Sequence, residues 1–250
     1  MSILADIRND PNFDVLDETD DYMVVNKPAP LQIHPGAPHG ARTLWHGLRD
    51  LLAYEIANGG QVSIINRLDR ETSGIVLVAK NQAWARFFGL AMQNREIHKT
   101  YAALVHGSPS WSELDLEAPI LRAGDVQESP IWVKQMVHAD GAPCRTRFRV
   151  LQRFADGFSL MEAKPETGRM HQIRVHLKHL GLPMVGDKLY GLDDRCYLEF
   201  IDTGWTGTLA KQLLIPRQAL HSWKLVVKSE FFQGSWESPV PDFHMMVGLM

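Results

Sequence analysis

The loop INRLDRETSG at 65–74 constrains this chain most, because its polar and glycine content interrupts what would otherwise be one long strand. VSII at 62–65 precedes it and IVLVAK at 75–80 follows it, both rich in strand formers, so the loop is expected to be held at both ends. Inside it Asp69 stands between Arg67 and Arg70. Guanidinium groups close to a carboxylate favour its ionised form, which would let Asp69 serve as nucleophile or base. The same residues, with Glu71, could equally make a solvated ion-pair loop. Both readings stay open on these residues alone, since loops held on rigid elements carry many active sites but loop charges are common.

Around this loop the pattern alternates between strand and helix. Residues 13–32 read as a hairpin turning at Asp20-Asp21, whose second strand, YMVVNKP, stops at Pro28. Thr43 stands as N-cap to a helix that presents Leu44, Leu48, Leu51, Leu52 and Ile56 on one face and ends at Asn58-Gly59-Gly60. Asn81 caps a second helix carrying Trp84, Phe87, Phe88 and Ala91, and a strand around TYAALV follows. Further strands are expected near 131–137, 145–152 and 157–164. A third helix is expected after Thr167-Gly168, with Met170, Ile173, Leu177 and Leu180 turned inward and an end near Gly181 and Pro183. That register leaves His171, Arg174 and Lys178 together on a free face. ALHSWKLVV at 219–227 reads as a strand, and the chain closes with a loop and a short apolar docking segment.

Composition narrows the classes. With 250 residues, 45% hydrophobic and 22% charged, the chain is globular, and no linker-like run divides it, so one domain is expected. The 26 Lys+Arg against 29 Asp+Glu give a net charge of -3, which excludes a globally basic coat; any polyanion site must come from a local cluster. Cys144 and Cys196 lack metal-ligand spacing and are too few for a disulfide framework, which fits a reducing compartment. Residues 1–21 are acidic and lack the apolar core of a signal peptide, and no apolar run reaches membrane-spanning length, so a cytoplasmic protein is expected.

The stretch KPETGRMHQIRVHLKHLGLPMVGDKLYG at 164–191 sets Lys164, Arg169, Arg174, Lys178 and Lys188 against only Glu166 and Asp187. It is a candidate for contact with a nucleic-acid backbone, or an amphipathic helix with a basic face. Its histidines, His171, His176 and His179, lack the arrangement of a zinc-binding helix, and no metal site is expected. In HKTYAALVHG at 98–107, Lys99, Tyr101, Ala103 and Val105 share one strand face; Tyr101 either points into a cleft or packs in the core. Walker, Rossmann and G-x-S-x-G signatures are missing, so no nucleotide cofactor is expected.

Five segments occur in a telling order: VVNKPAPLQIHPG at 24–36, INRLDRETSGIVLVAK at 65–80, HKTYAALVHG at 98–107, the basic stretch at 164–191, and RQALHSWKL at 217–225. Together they resemble the RluA-type family of pseudouridine synthases, with RLDRETSG and TGRMHQIRVH the most specific pieces. The resemblance implies an α+β pseudouridine synthase fold, with a central mixed, mostly antiparallel sheet, flanking helices and an active-site cleft. It implies isomerisation of uridine to pseudouridine in transfer or ribosomal RNA, with no cofactor and no metal. Asp69 corresponds to the family's essential aspartate, Tyr101 to its active-site tyrosine, Arg174 to the basic residue paired with that aspartate, and Arg67 to the arginine that helps displace the flipped base. Arg70, Arg169, His171 and Lys178 are expected to contact RNA. A uridine inside a duplex must be extruded before any of these groups can reach it.

Two positions depart from the family pattern. Asn66 stands where relatives often carry His, a change expected to bear on loop anchoring, and Cys144 replaces a usually small residue without an assigned role. Many relatives also begin with a basic S4-type domain, whereas this sequence enters the catalytic hairpin at once. A single catalytic domain acting as a monomer is therefore expected, with transfer RNA slightly ahead of ribosomal RNA. The rival is a catalytically silent RNA-binding or folding module on the same scaffold. A nucleosidase or glycosidase would want a second carboxylate, for which Glu71 is the nearby candidate.

Overall fold

The computed structural model describes residues 11–36 and 40–248; the first ten residues, on which the signal-peptide reading partly rests, lie outside the described residues. In chain order the elements begin β1 (Asp14–Glu18), β2 (Tyr22–Lys27), α1 (Leu44–Leu51), α2 (Ala53–Ala57), β3 (Ser63–Ile64), β4 (Ser73–Ala79) and α3 (Gln82–Gln93). Next come β5 (Ile97–His106), β6 (Glu113–Glu117), β7 (Ile120–Arg122), β8 (Gln135–Val137), β9 (Arg145–Arg153) and β10 (Phe158–Pro165). The chain continues through α4 (Gln172–His179), α5 (Arg195–Thr203), α6 (Gly207–Leu213), β11 (Leu220–Lys228), β12 (Gln233–Glu237) and α7 (Phe243–Gly248). The architecture is α+β, and the chain divides into two compact units. One is drawn from the chain up to His98 and from Ser222–Pro239, the other from Lys99–His221 and residues 240 onward.

In the first unit the strands run β1-β2-β4-β11, with β3 beside β4 and β12 beside β11. Every residue of β4 is buried, which is why its sequence is a continuous apolar run and not an alternating one. Val24, Ile75, Leu77, Leu225 and Val227 of the sheet pack on Phe88 and Ala91 of α3. Asn81 caps that helix as its sequence predicts, its Oδ1 accepting the Trp84 N–H at 3.0 Å. Tyr22 meets Trp84, Phe88, Phe232 and Trp236 with ring centroids 5.5–6.0 Å apart, so aromatic edges close this core. Gly74 explains the glycine of the T-S-G run: its φ is +109°, and a Cβ there would lie 2.2 Å from the Ser222 carbonyl oxygen of β11.

The helix expected from Thr43 to Asn58 is broken. Leu52 leaves helical geometry, at φ -97° and ψ 24°, and separates α1 from α2. Leu44, Leu48 and Leu52 are buried, but Leu51 and Tyr54 stand exposed, so the inward stripe is narrower than five apolar residues suggest.

In the second unit the sheet order is β5-β10-β9-β6, with antiparallel pairs throughout, and β7 and β8 form a separate antiparallel ribbon. The strand expected at 131–137 is only three residues long; the chain turns at 132–133, and Trp132 is 76% exposed. β6, β7, α5, α6 and β12 were not expected. The reason is visible for α5 and α6, whose shared core is small: Cys196, Leu209 and Leu213, with Phe200 against them. At the end of the chain, α7 docks through Phe243, as the apolar closing segment predicts.

Candidate active site

The loop that carries Asp69 is tied down on both sides. Asn66, buried at its start, donates from Nδ2 to the Ile75 carbonyl at 2.9 Å and accepts the Leu77 N–H on Oδ1 at 2.8 Å. A single side chain thus closes the loop onto β4, which bears out the expectation that this position governs anchoring. Leu68 is buried beside it, and the Thr72 N–H reaches the Asp69 carbonyl at 3.1 Å to make a tight turn. On the other side Leu31 donates its N–H to the Arg70 carbonyl at 2.8 Å. Lys27, the lysine of the N-K-P run, is fully buried, and its Nζ donates to the carbonyls of Pro28, Leu31 and Arg70 at 2.9, 2.8 and 3.3 Å. Burying an ammonium is tolerable only with such a set of acceptors. Asp69 itself is half-buried, and Arg67 and Arg70 are exposed.

The second unit holds the other predicted residues, and here the structure corrects one expectation. Helix α4 begins at Gln172, not directly after Gly168, and Gln172–Leu177 are all buried, so the face carrying Arg174 is not free. Arg174 makes a bidentate pair with Asp187, Nε to Oδ2 at 2.7 Å and Nη2 to Oδ1 at 2.8 Å. Burial opposes the charge on Asp187. The Arg174 guanidinium and the N–H groups of Tyr190 and Leu189 outweigh it and hold the carboxyl below its usual range. The Arg174 guanidinium also lies 4.9 Å from the centre of the Tyr190 ring. The Tyr190 hydroxyl accepts the Gln135 N–H at 2.8 Å and stands 2.8 Å from His171 Nδ1. His171 takes a left-handed φ of 58° just before the helix.

The turn before α4 is built by Gln172. Its Oε1 accepts the Thr167 hydroxyl at 2.7 Å and the Arg169 N–H at 3.1 Å, and its Nε2 donates to the Arg145 carbonyl at 3.0 Å and to Thr146 Oγ1 at 2.9 Å. Thr146 Oγ1 also lies 2.9 Å from His176 Nδ1. His176 Nε2 is 2.9 Å from the Ala118 carbonyl, which can only accept, so Nε2 carries the proton. Burial lowers the basicity of His176 and keeps it neutral, a core histidine. Cys144 packs against it with Sγ 3.1 Å from the same carbonyl. Among the described residues, no group of three or more His, Cys, Asp or Glu could hold a metal ion.

Of the five cations in the basic stretch, four are used within the fold. Lys164 pairs with Glu162 at 2.9 Å, Lys188 is buried and donates to the Pro216 carbonyl at 2.7 Å, and Arg174 holds Asp187. Lys178 donates to the Gly191 carbonyl, and Lys164, Arg169 and Lys178 are all exposed. Tyr101, on β5 opposite Ala163 of β10, is buried. Sequence reasoning missed Lys27, Gln172, Asp187 and Tyr190. The signal for Asp187 was present, an isolated acid within a basic stretch.

Residues 21–179, well over half the chain, match the family described as RNA pseudouridylate synthase. The chain belongs to this family. Among pseudouridylate synthases it is 35% identical to the "Ribosomal large subunit pseudouridine synthase D" of Pseudomonas aeruginosa over 248 residues, 98% of this chain and 73% of that protein. An "Uncharacterized RNA pseudouridine synthase" of Chloroflexus aurantiacus is 43% identical over 169 residues, 66% of this chain. The match covers 51% of the Chloroflexus protein, so the chain spans about half the length of that relative. The solved structure of "Human RNA Pseudouridylate Synthase Domain Containing 1" superposes with a TM-score of 0.71 at 25% identity, over 94% of this chain and 86% of the human one. The expected pseudouridine synthase fold is therefore the fold of this synthase-family chain.

Proposed function

We propose that this chain isomerises uridine to pseudouridine in structured RNA, with Asp69 as the catalytic carboxylate. The observation that carries the reading is the anchored R-L-D-R-E-T-S-G loop inside the family-matched span, which offers a half-buried carboxylate on a rigid support. In the reaction the bond from C1′ to N1 of the base breaks, the base turns, a bond from C1′ to C5 forms, the C5 proton leaves, and N1 takes up a proton. The family motifs assign Tyr101 and Arg174 as the other catalytic groups. Arg67, Arg70, Arg169, His171 and Lys178 are the proposed RNA contacts, and of these Arg169 and Lys178 are exposed cations of the basic stretch. A ribosomal substrate is favoured over transfer RNA by the name of the Pseudomonas relative. A reducing cytoplasm is supported by the free thiols Cys144 and Cys196. The chain is proposed to act as a monomeric catalytic domain.

The test is tritium release from 5-[³H]uridine-labelled RNA, with unmodified ribosomal and transfer pools run separately, for wild type and Asp69→Ala. Release that requires Asp69 establishes the reaction and names the pool. Equal release from Asp69→Ala removes Asp69 from its role, and no release from either pool with RNA binding intact replaces the enzyme by a binding module.

A further inference from the structure

Lys99 is a cation without a counter-charge among the described residues. It is half-buried on β5, two residues before Tyr101, so the two side chains leave the same face of the strand about 6.6 Å apart along it. Among the described residues its ammonium makes no hydrogen bond or ion pair. Burial alone pushes its basicity down, the direction expected of a charge partly removed from water with nothing opposite it. Lys27 and Lys188 are also buried, but each donates to carbonyls within its own unit. Lys99 does not.

The position of the ammonium says where a partner would come from. A Cβ built on Gly168 would stand 3.6 Å from Lys99 Nζ, so the ammonium lies against the Thr167–Arg169 turn. That turn is held from behind by Gln172, and its outer residues Gly168 and Arg169 are exposed. The Arg169 guanidinium likewise has no hydrogen bond or ion pair among the described residues. The one carboxylate in the turn's approach, Glu166, lies 3.7 Å from Arg145. Two cations therefore flank a glycine whose missing side chain leaves room for a ligand, and what they lack is an anion arriving from solvent.

We propose that Lys99 receives a backbone phosphate of the RNA strand over the Thr167–Arg169 turn, with Arg169 on the flank. This rests on the reading of the chain as an RNA-modifying enzyme, which supplies both the polyanion and the reason for a phosphate site on the strand face of Tyr101. The spacing of Lys99 from Tyr101 suits a nucleotide whose base meets the tyrosine and whose phosphate meets the lysine. Binding gives the ammonium the charge-assisted hydrogen bonds that the free protein does not supply.

The test compares wild type, Lys99→Met and Lys99→Arg on the RNA pool that supports tritium release, and measures binding to an unmodified large-subunit ribosomal RNA transcript at several salt concentrations. Lys99→Met is expected to lower kcat/KM about tenfold or more, chiefly through KM, and to reduce the slope of log affinity against log salt by about 0.7–0.9. Lys99→Arg, which keeps the charge, restores both. Thermal melting of each variant separates a folding defect from a lost contact. An unchanged salt slope in Lys99→Met, whether or not the melting point falls, overturns the proposal. Absence of tritium release by wild type would instead defeat the enzymatic reading, and the salt-slope comparison would still decide whether Lys99 holds phosphate.

Discussion

Arg174 and Asp187 face each other in a two-point ion pair at 2.7 and 2.8 Å, with the carboxylate wholly out of water and the guanidinium nearly so. The pair is also the support of a loop end, because Asp187 Oδ1 accepts the N–H groups of Leu189 and Tyr190 at 2.9 Å each. The residue proposed above to act in catalysis is thus fixed by an acid thirteen positions further along the chain. A rigid guanidinium loses little freedom when its chemistry is called on, which is the value of such second contacts.

Asp187→Asn should lower the free energy of unfolding at pH 7 by about 3–5 kcal/mol, since it leaves a buried guanidinium without its charge partner. The pH dependence follows in sign. The folded carboxyl titrates below its unfolded value of about 3.9, so its stabilisation is complete above that pH and drains away as pH falls toward the folded value. Urea unfolding at pH 7, 4 and 3 should show wild type losing stability below about pH 4 and Asp187→Asn losing less over the same interval. Equal acid losses in the two proteins would place the sensitivity elsewhere.

Much of the fold was readable where one residue type had one job. Asn81 before a run of aromatic residues is a helix start by local chemistry, and α3 begins there. The unbroken apolar run of β4 can only be a doubly covered strand, and it is. In helix α4 the polar residues suggest a water-facing side that the fold does not have. Periodicity reports which side chains share a face; it does not report that Asp187 covers Arg174, that Thr146 meets His176, or that Gln172 is spent on four hydrogen bonds. Leu52 and the short β8 failed for the opposite reason, since nothing local distinguishes a kinked helix from a straight one or a turn at 132–133 from a strand. The loop of the candidate site was legible as a loop, but its anchors Lys27 and Leu31 come from far upstream and had no local signature.

Gly74→Ala is expected to cost at least about 3 kcal/mol, combining a positive φ with a clash. The added methyl would have to stand 2.2 Å from the Ser222 carbonyl oxygen, and backbone in a paired strand has nowhere to go. Gly59→Ala is the control: its φ is +92°, but nothing lies within 4 Å, so only the strain remains, about 1–2 kcal/mol. Parallel thermal melts should rank the two variants in that order, and equal melting points would refute the steric account of Gly74.

Cys144 and Cys196 should both be silent to a thiol reagent at pH 8 in the native protein. Each is 3% exposed, and burial raises each thiol above its ordinary value, so both access and thiolate fraction are low. Ellman's reagent should titrate less than about a tenth of the thiols within minutes without denaturant and both of them in guanidinium. Rapid native labelling of Cys144 would mean that the Thr146–His176–Ala118 network opens readily.

Lys27→Met tests whether the loop of Asp69 is positioned or merely stabilised. Methionine nearly matches the lysine stem in shape but removes the ammonium from the carbonyls of Pro28 and Leu31, and leaves the Arg70 carbonyl with only the Leu31 N–H. Unsatisfied buried acceptors cost about 1–3 kcal/mol each before relaxation, so a loss of roughly 2–3 kcal/mol in unfolding free energy is expected once the loop has shifted to recover water. The shift is the important part. Arg70 adjoins Asp69, and a displacement of about 1 Å at a reacting group can cost up to two orders of magnitude in rate. Single-turnover tritium release, measured well below the melting point so that the variant stays folded, should therefore fall by about tenfold or more with RNA affinity nearly unchanged. A Lys27→Met protein that is less stable yet turns over at the wild-type rate would show that the buried ammonium holds the hairpin together without setting the position of Asp69.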